Sequence, residues 1–183
     1  MYAKSLIFLL MAGLASCSDG EHTPSAPPAA TAPAPSPEEL AVKSALEAYE
    51  GYWRVSTAAE KEPRAKDWRP PLSEYVVDPL LTRQVAEIQN LASVPAHMVG
   101  EYRRSPRVTS KSLQAQDPRI KISDCLDRSS LHLVSDKPSE QGRVLDNPDQ
   151  PRRYEFRAEV VRYAGLNDRW LVQVVEAALD TPC

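Results

Sequence analysis

The chain has 183 residues and a formal net charge of -3, from 22 Lys and Arg against 25 Asp and Glu. That length suits one ordinary folded domain and is too short for two comfortable ones. Because the chain has no excess of positive charge with which to bind a polyphosphate, we expect no nucleic-acid partner.

An export signal is predicted at the amino terminus, where a lone positive charge at Lys4 precedes an apolar run over residues 5–14. The run is far shorter than the roughly 20 residues that a permanent membrane helix needs, so residues 1–16 are interpreted as a removable signal peptide. The segment Leu14-Ala15-Ser16-Cys17 resembles a bacterial lipobox. The resemblance implies that Cys17 begins the mature chain and carries a diacylglycerol anchor; the alternative is a cysteine that follows an ordinary signal peptide by chance.

Residues 17–35 are rich in Pro, Ala, Ser and Thr and contain almost no large apolar side chain. Such a composition predicts a semi-extended linker, at about 3.1 Å per residue where it is proline-rich, with a reach on the order of 50 Å. We expect the linker to hold a folded domain, residues 36–183, clear of the membrane on the extracytoplasmic face of a bacterial cell.

Three helices are predicted at the start of the domain. Ser36, Pro37 and Glu39 are a capping residue, a first-turn proline and the glutamate of a capping box, so a helix begins there and ends before Pro63. Its apolar face repeats at helical spacing: Val42, Leu46, Tyr49 and Trp53, widened by Ala45 and Tyr52. Two shorter helices follow, over Leu72–Val77 and from Asp78-Pro79 to about Val94.

Strands are predicted after His97, where branched residues alternate with polar ones. The predicted segments are an extended stretch over residues 98–113, a strand over 119–126, a short strand over 131–134, and two long strands over 152–163 and 169–177 that form a hairpin around residues 165–168. One face of the first long strand carries Tyr154, Phe156, Ala158 and Val160, and one face of the second carries Trp170, Val172 and Val174. Helices followed by an antiparallel meander indicate an α+β domain, with the helices packed on one face of a curved sheet.

This order of elements resembles the cone-shaped superfamily of nuclear transport factor two and ketosteroid isomerase. More narrowly, the segments Asp124-Cys125-Leu126-Asp127, Arg153–Tyr163, Arg169-Trp170-Leu171-Val172 and Pro182-Cys183 are similar to those of lipoproteins from GC-rich Gram-positive bacteria. The motifs of that second resemblance are structural, and it implies no activity.

The two remaining cysteines, Cys125 and Cys183, are predicted to form a disulfide. The export signal directs the chain to an oxidising compartment. An even number of remaining cysteines is expected to form disulfides there. The alternative is a reactive thiol at Cys125, for which the sequence supplies no neighbouring base.

Aromatic residues are the candidates for a binding pocket, because a cone-shaped fold encloses a cavity. Those candidates are Tyr49, Tyr52, Trp53, Tyr154, Phe156 and Trp170. The competing interpretation is that they are core residues, the commoner role for aromatic side chains at helical spacing.

Catalysis and metal binding have little support in the sequence. Enzymes with a cone-shaped fold use an Asp or His as a general base and a Tyr or Asp as a hydrogen-bond donor. The candidates for these roles are Asp124, His132, Tyr154, His97 and Tyr52, and none lies within a spaced motif. We therefore expect no catalytic residue, no metal and no cofactor, with both histidines at the surface and His97 in a loop. Small basic clusters at residues 103–107 and 152–153 are interpreted as solvated strand edges.

The sequence leaves three functions open. The first is a non-enzymatic binding module of the cell envelope, which engages a protein or a small apolar ligand. The second is an envelope protein of a mobile element or phage, acting in conjugation or in the exclusion of incoming DNA. The third is a cone-fold lyase or isomerase. The sequence favours the first function, because it supports export, a lipid tether and the fold, whereas it contains no catalytic motif.

Overall fold

Three helices precede six strands in the part of the chain that the computed structural model describes, residues 34–183. The helices are α1 (Pro37–Lys61), α2 (Arg69–Ser73) and α3 (Leu80–Ser93); the strands are β1 (Ala96–Val99), β2 (Pro106–Ser112), β3 (Arg119–Asp127), β4 (His132–Ser135), β5 (Arg153–Tyr163) and β6 (Arg169–Ala178). The α+β class predicted from the sequence is confirmed. The predicted signal peptide, Cys17 and all but the end of the predicted linker lie outside the described residues.

The long helix α1 begins as its sequence predicts. The Glu39 backbone N–H donates to the Ser36 hydroxyl at 3.2 Å, and the Ser36 N–H donates to the Glu39 carboxylate at 2.6 Å, which completes a capping box. Within residues 34–183, neither α1 nor a shorter helix combines the length and the apolar character that a membrane crossing requires.

A four-stranded antiparallel sheet in the order β2-β3-β5-β6 is covered on one face by α1 and α3. The helices contribute Tyr49, Tyr52, Trp53, Val85 and Ile88 to the core, and the sheet contributes Ile120, Ile122, Tyr154, Phe156, Ala158, Val160 and Val172. The predicted face of β5 is therefore confirmed as the core face. The free edge of β6 is covered by the segment after α2, since the Val172 N–H donates to the Tyr75 carbonyl at 2.8 Å and the Val77 N–H donates to the Val172 carbonyl at 3.2 Å.

The predicted face of β6 is wrong beyond Val172. A bulge pairs Val160 with Val172 but Glu159 with Val174, so the alternation of faces shifts by one residue at Gln173. Val174 is consequently 51% exposed, while Val175 packs against the core.

The predicted extended stretch over residues 98–113 is two strands in two different sheets. The first part is β1, which pairs only with β4 in a separate two-stranded sheet, and the second is β2 at the edge of the large sheet. Gly100 lies between them at a φ of 93°, where a Cβ would lie 1.8 Å from the Ser130 carbonyl oxygen. His97 lies in β1, so the predicted loop position of this residue is wrong.

The second helix lies earlier than predicted. Pro70 and Pro71, expected to precede it, are inside its first turn, where a missing N–H costs no helical hydrogen bond. Residues 74–77, predicted to be helical, instead lead to the edge of β6.

Cys125 and Cys183 lie at disulfide-bonding distance, with Cα atoms 5.7 Å apart, so the pairing predicted from the sequence is confirmed. The Glu155 N–H also donates to the Thr181 carbonyl at 2.9 Å. Together the two contacts fix the end of the chain beside β3 and β5.

Candidate functional site

An open groove runs along the amino-terminal half of α1, and we call it the α1 groove. Its apolar floor consists of Val42, Leu46, Gly51 and the ring of Tyr75, and its volume is about 950 Å³. The residues from Val42 to Gly51 span about 14 Å of helix at 1.5 Å per residue. The groove is therefore long enough to receive several consecutive side chains.

The absence of a side chain at Gly51 lets the Tyr75 ring lie directly on α1. A Cβ at position 51 would be 2.1 Å from Cδ1 and Cε1 of that ring. Arg54 donates to the Tyr75 hydroxyl at 2.5 Å, and its guanidinium lies 5.3 Å from the ring centroid. Tyr75 is thus fixed in place as one wall of the α1 groove.

Charged side chains form the rim of the α1 groove, and most of them neutralise one another. Lys111 of β2 pairs with Glu38 at the start of α1, and Lys43 lies 3.8 Å from Glu47 one turn along. An apolar floor within a polar rim is the usual anatomy of a protein–protein interface.

Asp124 is an ionisable residue inside the domain, and its side chain is fully buried. It accepts from the Tyr49 hydroxyl at 3.0 Å and from the Ser105 N–H at 2.6 Å. Arg104 lies 3.7 Å away and also pairs with Glu50. Burial raises the pKa of Asp124, while these donors and the Arg104 charge oppose the rise.

The contacts of Asp124 identify its role as structural. Each carboxylate oxygen accepts a hydrogen bond from the protein, and the side chain has no solvent exposure. Arg104, which the sequence suggested was a solvated edge residue, is only 19% exposed and carries the positive charge of this buried network.

A smaller cavity of about 160 Å³ lies between α1 and α3 and has a partly polar lining. We call it the Glu60 cavity. Its polar lining comes from Ser56, Glu60, Gln84, Glu87 and Tyr102. Tyr102 donates to Glu60 at 3.4 Å, and Gln84 donates to Glu87 at 2.8 Å. Ser56 is 4% exposed, and its hydroxyl has no hydrogen-bond partner among the described residues.

Burial raises the pKa of Glu60 to about 7, despite the Tyr102 hydrogen bond and the charge of Arg128, which both act to lower it. A carboxyl with that pKa changes its charge near neutral pH. Sequence reasoning missed Glu60, although a signal was present: Tyr52, Ser56 and Glu60 follow one another at intervals of four, so the buried stripe of α1 continues into two polar residues.

Most of the aromatic pocket candidates are core residues. Tyr49, Tyr52, Tyr154 and Phe156 are all buried, and the Trp53 and Phe156 rings pack edge to face with centroids 4.9 Å apart. Trp170 differs from them, since it lines a hollow beside the start of α1 together with Leu113 and Pro118. Trp53 lines a hollow farther along α1, together with Arg104 and Tyr102.

His97 and His132 each contact a carboxylate and are not isolated surface residues. His97 Nδ1 lies 2.7 Å from Asp136, and His132 Nδ1 lies 2.8 Å from Asp146. Burial of Asp146 opposes its ionisation, but hydrogen bonds from His132, the Leu133 N–H and Arg152 outweigh that effect and lower its pKa to about 2. These pairs hold the small sheet and the loop that follows β4. Within residues 34–183 no group of three or more His, Cys, Asp and Glu side chains is arranged to hold a metal ion.

Comparison with known proteins shows distant structural similarity and no family. No family model matches the chain, and no curated protein matches it. Among solved structures, the chain is similar to the intermembrane space region of the chloroplast protein ARC6, at 13% sequence identity and a TM-score of 0.48 over 74% of this chain and 94% of that one. A similarity at that TM-score defines neither a fold family nor a function.

Proposed function

We propose that the protein is a lipid-anchored binding module of the bacterial cell envelope that engages a segment of another envelope protein through the α1 groove. The observation that carries the proposal is the form of this groove, with an apolar floor of Val42, Leu46 and Tyr75 inside a rim of paired charges.

The openness of the groove favours a protein partner over a small molecule. Sites for small ligands are concave and bury 70–90% of a drug-sized ligand, roughly. The α1 groove lies along the surface of a helix, so a compact ligand there would keep much of its own surface in water. A polypeptide segment that follows the helix would place successive apolar side chains on the floor and polar groups against the rim.

An extracytoplasmic location is supported by two independent features. Leu14-Ala15-Ser16-Cys17 resembles a lipobox, and Cys125 and Cys183 lie at bonding distance. Disulfides persist in oxidising compartments and are rare in the cytosol. The mature mass would test the anchor, since a lipidated chain that begins at Cys17 is heavier than its sequence by a diacylglycerol, and Cys17→Ala removes that addition.

We also propose that the domain is a cone-shaped member of the nuclear transport factor two superfamily. The proposal is supported by the order of three helices before an antiparallel sheet and by the packing of α1 and α3 on a single face of that sheet. An experimental structure in which the sheet does not curve around the helices would contradict it.

Site-specific photo-crosslinking in intact cells tests the function. A benzophenone amino acid is placed at Leu46, on the groove floor, or at Leu40. Leu40 lies six residues earlier on the same helix, is 49% exposed and is outside the groove. We expect a covalent adduct with one envelope protein from position 46 and none from position 40. The crosslinked segment is then synthesised, and its binding to the purified protein is measured.

Substitution distinguishes a specific contact from proximity. Leu46→Asp should weaken binding of the synthetic segment at least tenfold, whereas Leu40→Asp should leave it unchanged. Equal adducts from both positions, or equal affinities for both variants, would contradict the proposal. An adduct composed only of this chain would show that the partner is a second copy of the protein and not another envelope protein.

A further inference from the structure

We infer that the Glu60 cavity is a binding site for a small organic ammonium ion, held by Glu60 and Ser56 with its hydrocarbon part against α3. The site faces α3 and shares no lining residue with the α1 groove, so the inference does not depend on the proposed protein partner.

Hydrogen-bond acceptors dominate the polar lining of the cavity. Glu60 offers carboxylate oxygens, and the buried Ser56 hydroxyl has no partner in the described part of the chain. The Gln84 amide nitrogen already donates to Glu87, which leaves the Gln84 carbonyl oxygen as an acceptor. An ammonium group has three donors and no acceptor, so it complements this set.

The charges around the cavity are also arranged for a cation. The lining contains two carboxyl groups, Glu60 and Glu87, and no Lys or Arg. Glu87 is at the exposed mouth on α3, where Arg83 lies 3.8 Å from it, and Arg128 acts on Glu60 from outside the cavity. A cation bound between Glu60 and Glu87 would therefore be a direct counter-ion of Glu60 inside the cavity.

The size and the apolar wall of the cavity limit the rest of the ligand. Ile88, Leu91 and Met98 provide hydrocarbon surface beside the polar groups. A cavity of about 150 Å³ accommodates benzene, so the 160 Å³ here fits about six non-hydrogen atoms. The ligand class is consequently a primary amine with a short hydrocarbon chain.

Titration of the purified full-length protein with n-butylammonium tests the inference by calorimetry at pH 8. The matched probes are n-butanol, which has the same size without the charge, and butyrate, which has the opposite charge. A ligand of five heavy atoms reaches a dissociation constant of about 1 mM when its contacts are good. We expect n-butylammonium to bind in that range, and n-butanol and butyrate to bind at least tenfold more weakly.

Two variants locate the site, and a third is the control. Glu60→Gln should weaken n-butylammonium binding at least tenfold and Ser56→Ala about threefold. Glu62→Gln makes the same change of charge at the exposed end of α1, outside the cavity, and should leave affinity unchanged. Thermal unfolding of each variant verifies that it is folded under the conditions of the titration.

The pH dependence of the unmodified protein gives a test that needs no variant. Alkylammonium ions keep their charge from pH 6 to 8.5, so a change in affinity over that range reports the protein. Glu60 is flanked by Tyr52 on α1, Glu87 and Arg83 on α3, Tyr102, Tyr154 and Arg128. Glu60 has a pKa of about 7, inside this range, so affinity should rise as pH increases through 7.

Three results would overturn the inference. They are the absence of n-butylammonium binding at 10 mM or so, equal affinity for n-butanol, which would identify an apolar cavity only, and unchanged affinity in Glu60→Gln together with a flat pH profile. None of these results would affect the α1 groove, whose test uses different residues.

Discussion

The Tyr49 hydroxyl donates to Asp124 at 3.0 Å across 75 positions of sequence, and this bond joins α1 to β3 inside the core. Asp124 holds the Ser105 N–H at the same time, so one buried carboxylate connects the helix, the sheet and the segment that leads into β2. A buried carboxylate is tolerated only where donors and a positive charge satisfy it, and here Arg104 supplies the charge.

Removal of Asp124 should destabilise the domain severely. Asp124→Ala leaves the Tyr49 hydroxyl, the Ser105 N–H and Arg104 without their partner, so we expect a loss of about 3 kcal/mol in the free energy of unfolding. Tyr49→Phe removes one hydrogen bond and should cost about 1 kcal/mol. Urea unfolding followed by circular dichroism measures both changes.

The double variant determines whether the two residues act together. Because Tyr49 and Asp124 share a contact, the combined loss should be smaller than the sum of the single losses by at least about 0.5 kcal/mol. Strictly additive losses, or a loss below about 1 kcal/mol for Asp124→Ala alone, would show that the carboxylate does not join the helix to the sheet.

Glu60 should make the domain less stable as pH rises. Its pKa is about 7 in the folded state against an ordinary value of 4.5, so the folded protein holds this proton over a range in which the unfolded chain has released it. The contribution of Glu60 to the free energy of unfolding is therefore fully present below pH 4.5 and is lost as pH increases to 7. Allowing for solvent in the cavity, Glu60→Gln should be more stable than the unmodified protein by about 2 kcal/mol at pH 8.

The comparison between pH 4.5 and pH 8 is the measurement that isolates this effect. At pH 4.5 the carboxyl is neutral in the folded state and half ionised in the unfolded chain, so the stabilising effect of Glu60→Gln should fall below about 0.5 kcal/mol. Glu62→Gln, at an exposed position, should show no such difference between the two pH values. A constant effect of Glu60→Gln at both values would show that the carboxyl is not perturbed by burial.

Local signals in the sequence predicted elements well where one rule decides the outcome. Ser36, Pro37 and Glu39 define the start of α1 without help from tertiary structure, and the capping box is present. The alternation from Tyr154 to Val160 likewise defines the inner face of β5.

Features that depend on a partner strand were not predictable in this way. The bulge that exposes Val174 exists because β6 pairs with β5 out of step at Gln173, and no residue type there signals it. Similarly, Gly100 separates β1 from β2 because the backbone at Ser130 approaches it closely, a contact made across 30 positions. The Glu60 cavity was missed because it requires α1 and α3 together, whereas periodicity considers one helix at a time.

The Cys125–Cys183 bond should account for a large share of stability. It closes a separation of 58 residues, for which the chain-entropy model gives about 4 kcal/mol. We expect the double variant Cys125→Ser, Cys183→Ser to lose about that amount in urea unfolding. Reduction of the unmodified protein with dithiothreitol should give the same loss, and dithiothreitol should have no effect on the double variant. A loss below about 1 kcal/mol would indicate that the end of the chain is held by other contacts.

Gly51 provides the sharpest test of packing, because helix propensity and tertiary contact predict opposite signs. Ala is favoured over Gly inside a helix by about 1 kcal/mol, so propensity alone predicts that Gly51→Ala stabilises α1. In the folded domain the new Cβ would lie 2.1 Å from the Tyr75 ring, which is held by Arg54, so we expect a net loss of about 2 kcal/mol instead. In a Tyr75→Ala background the clash is absent, and the same substitution should stabilise the protein by up to about 1 kcal/mol. A change of sign between the two backgrounds, measured by urea unfolding, would establish that Gly51 is required by the tyrosine that forms the wall of the α1 groove, whereas equal effects in both would contradict that packing.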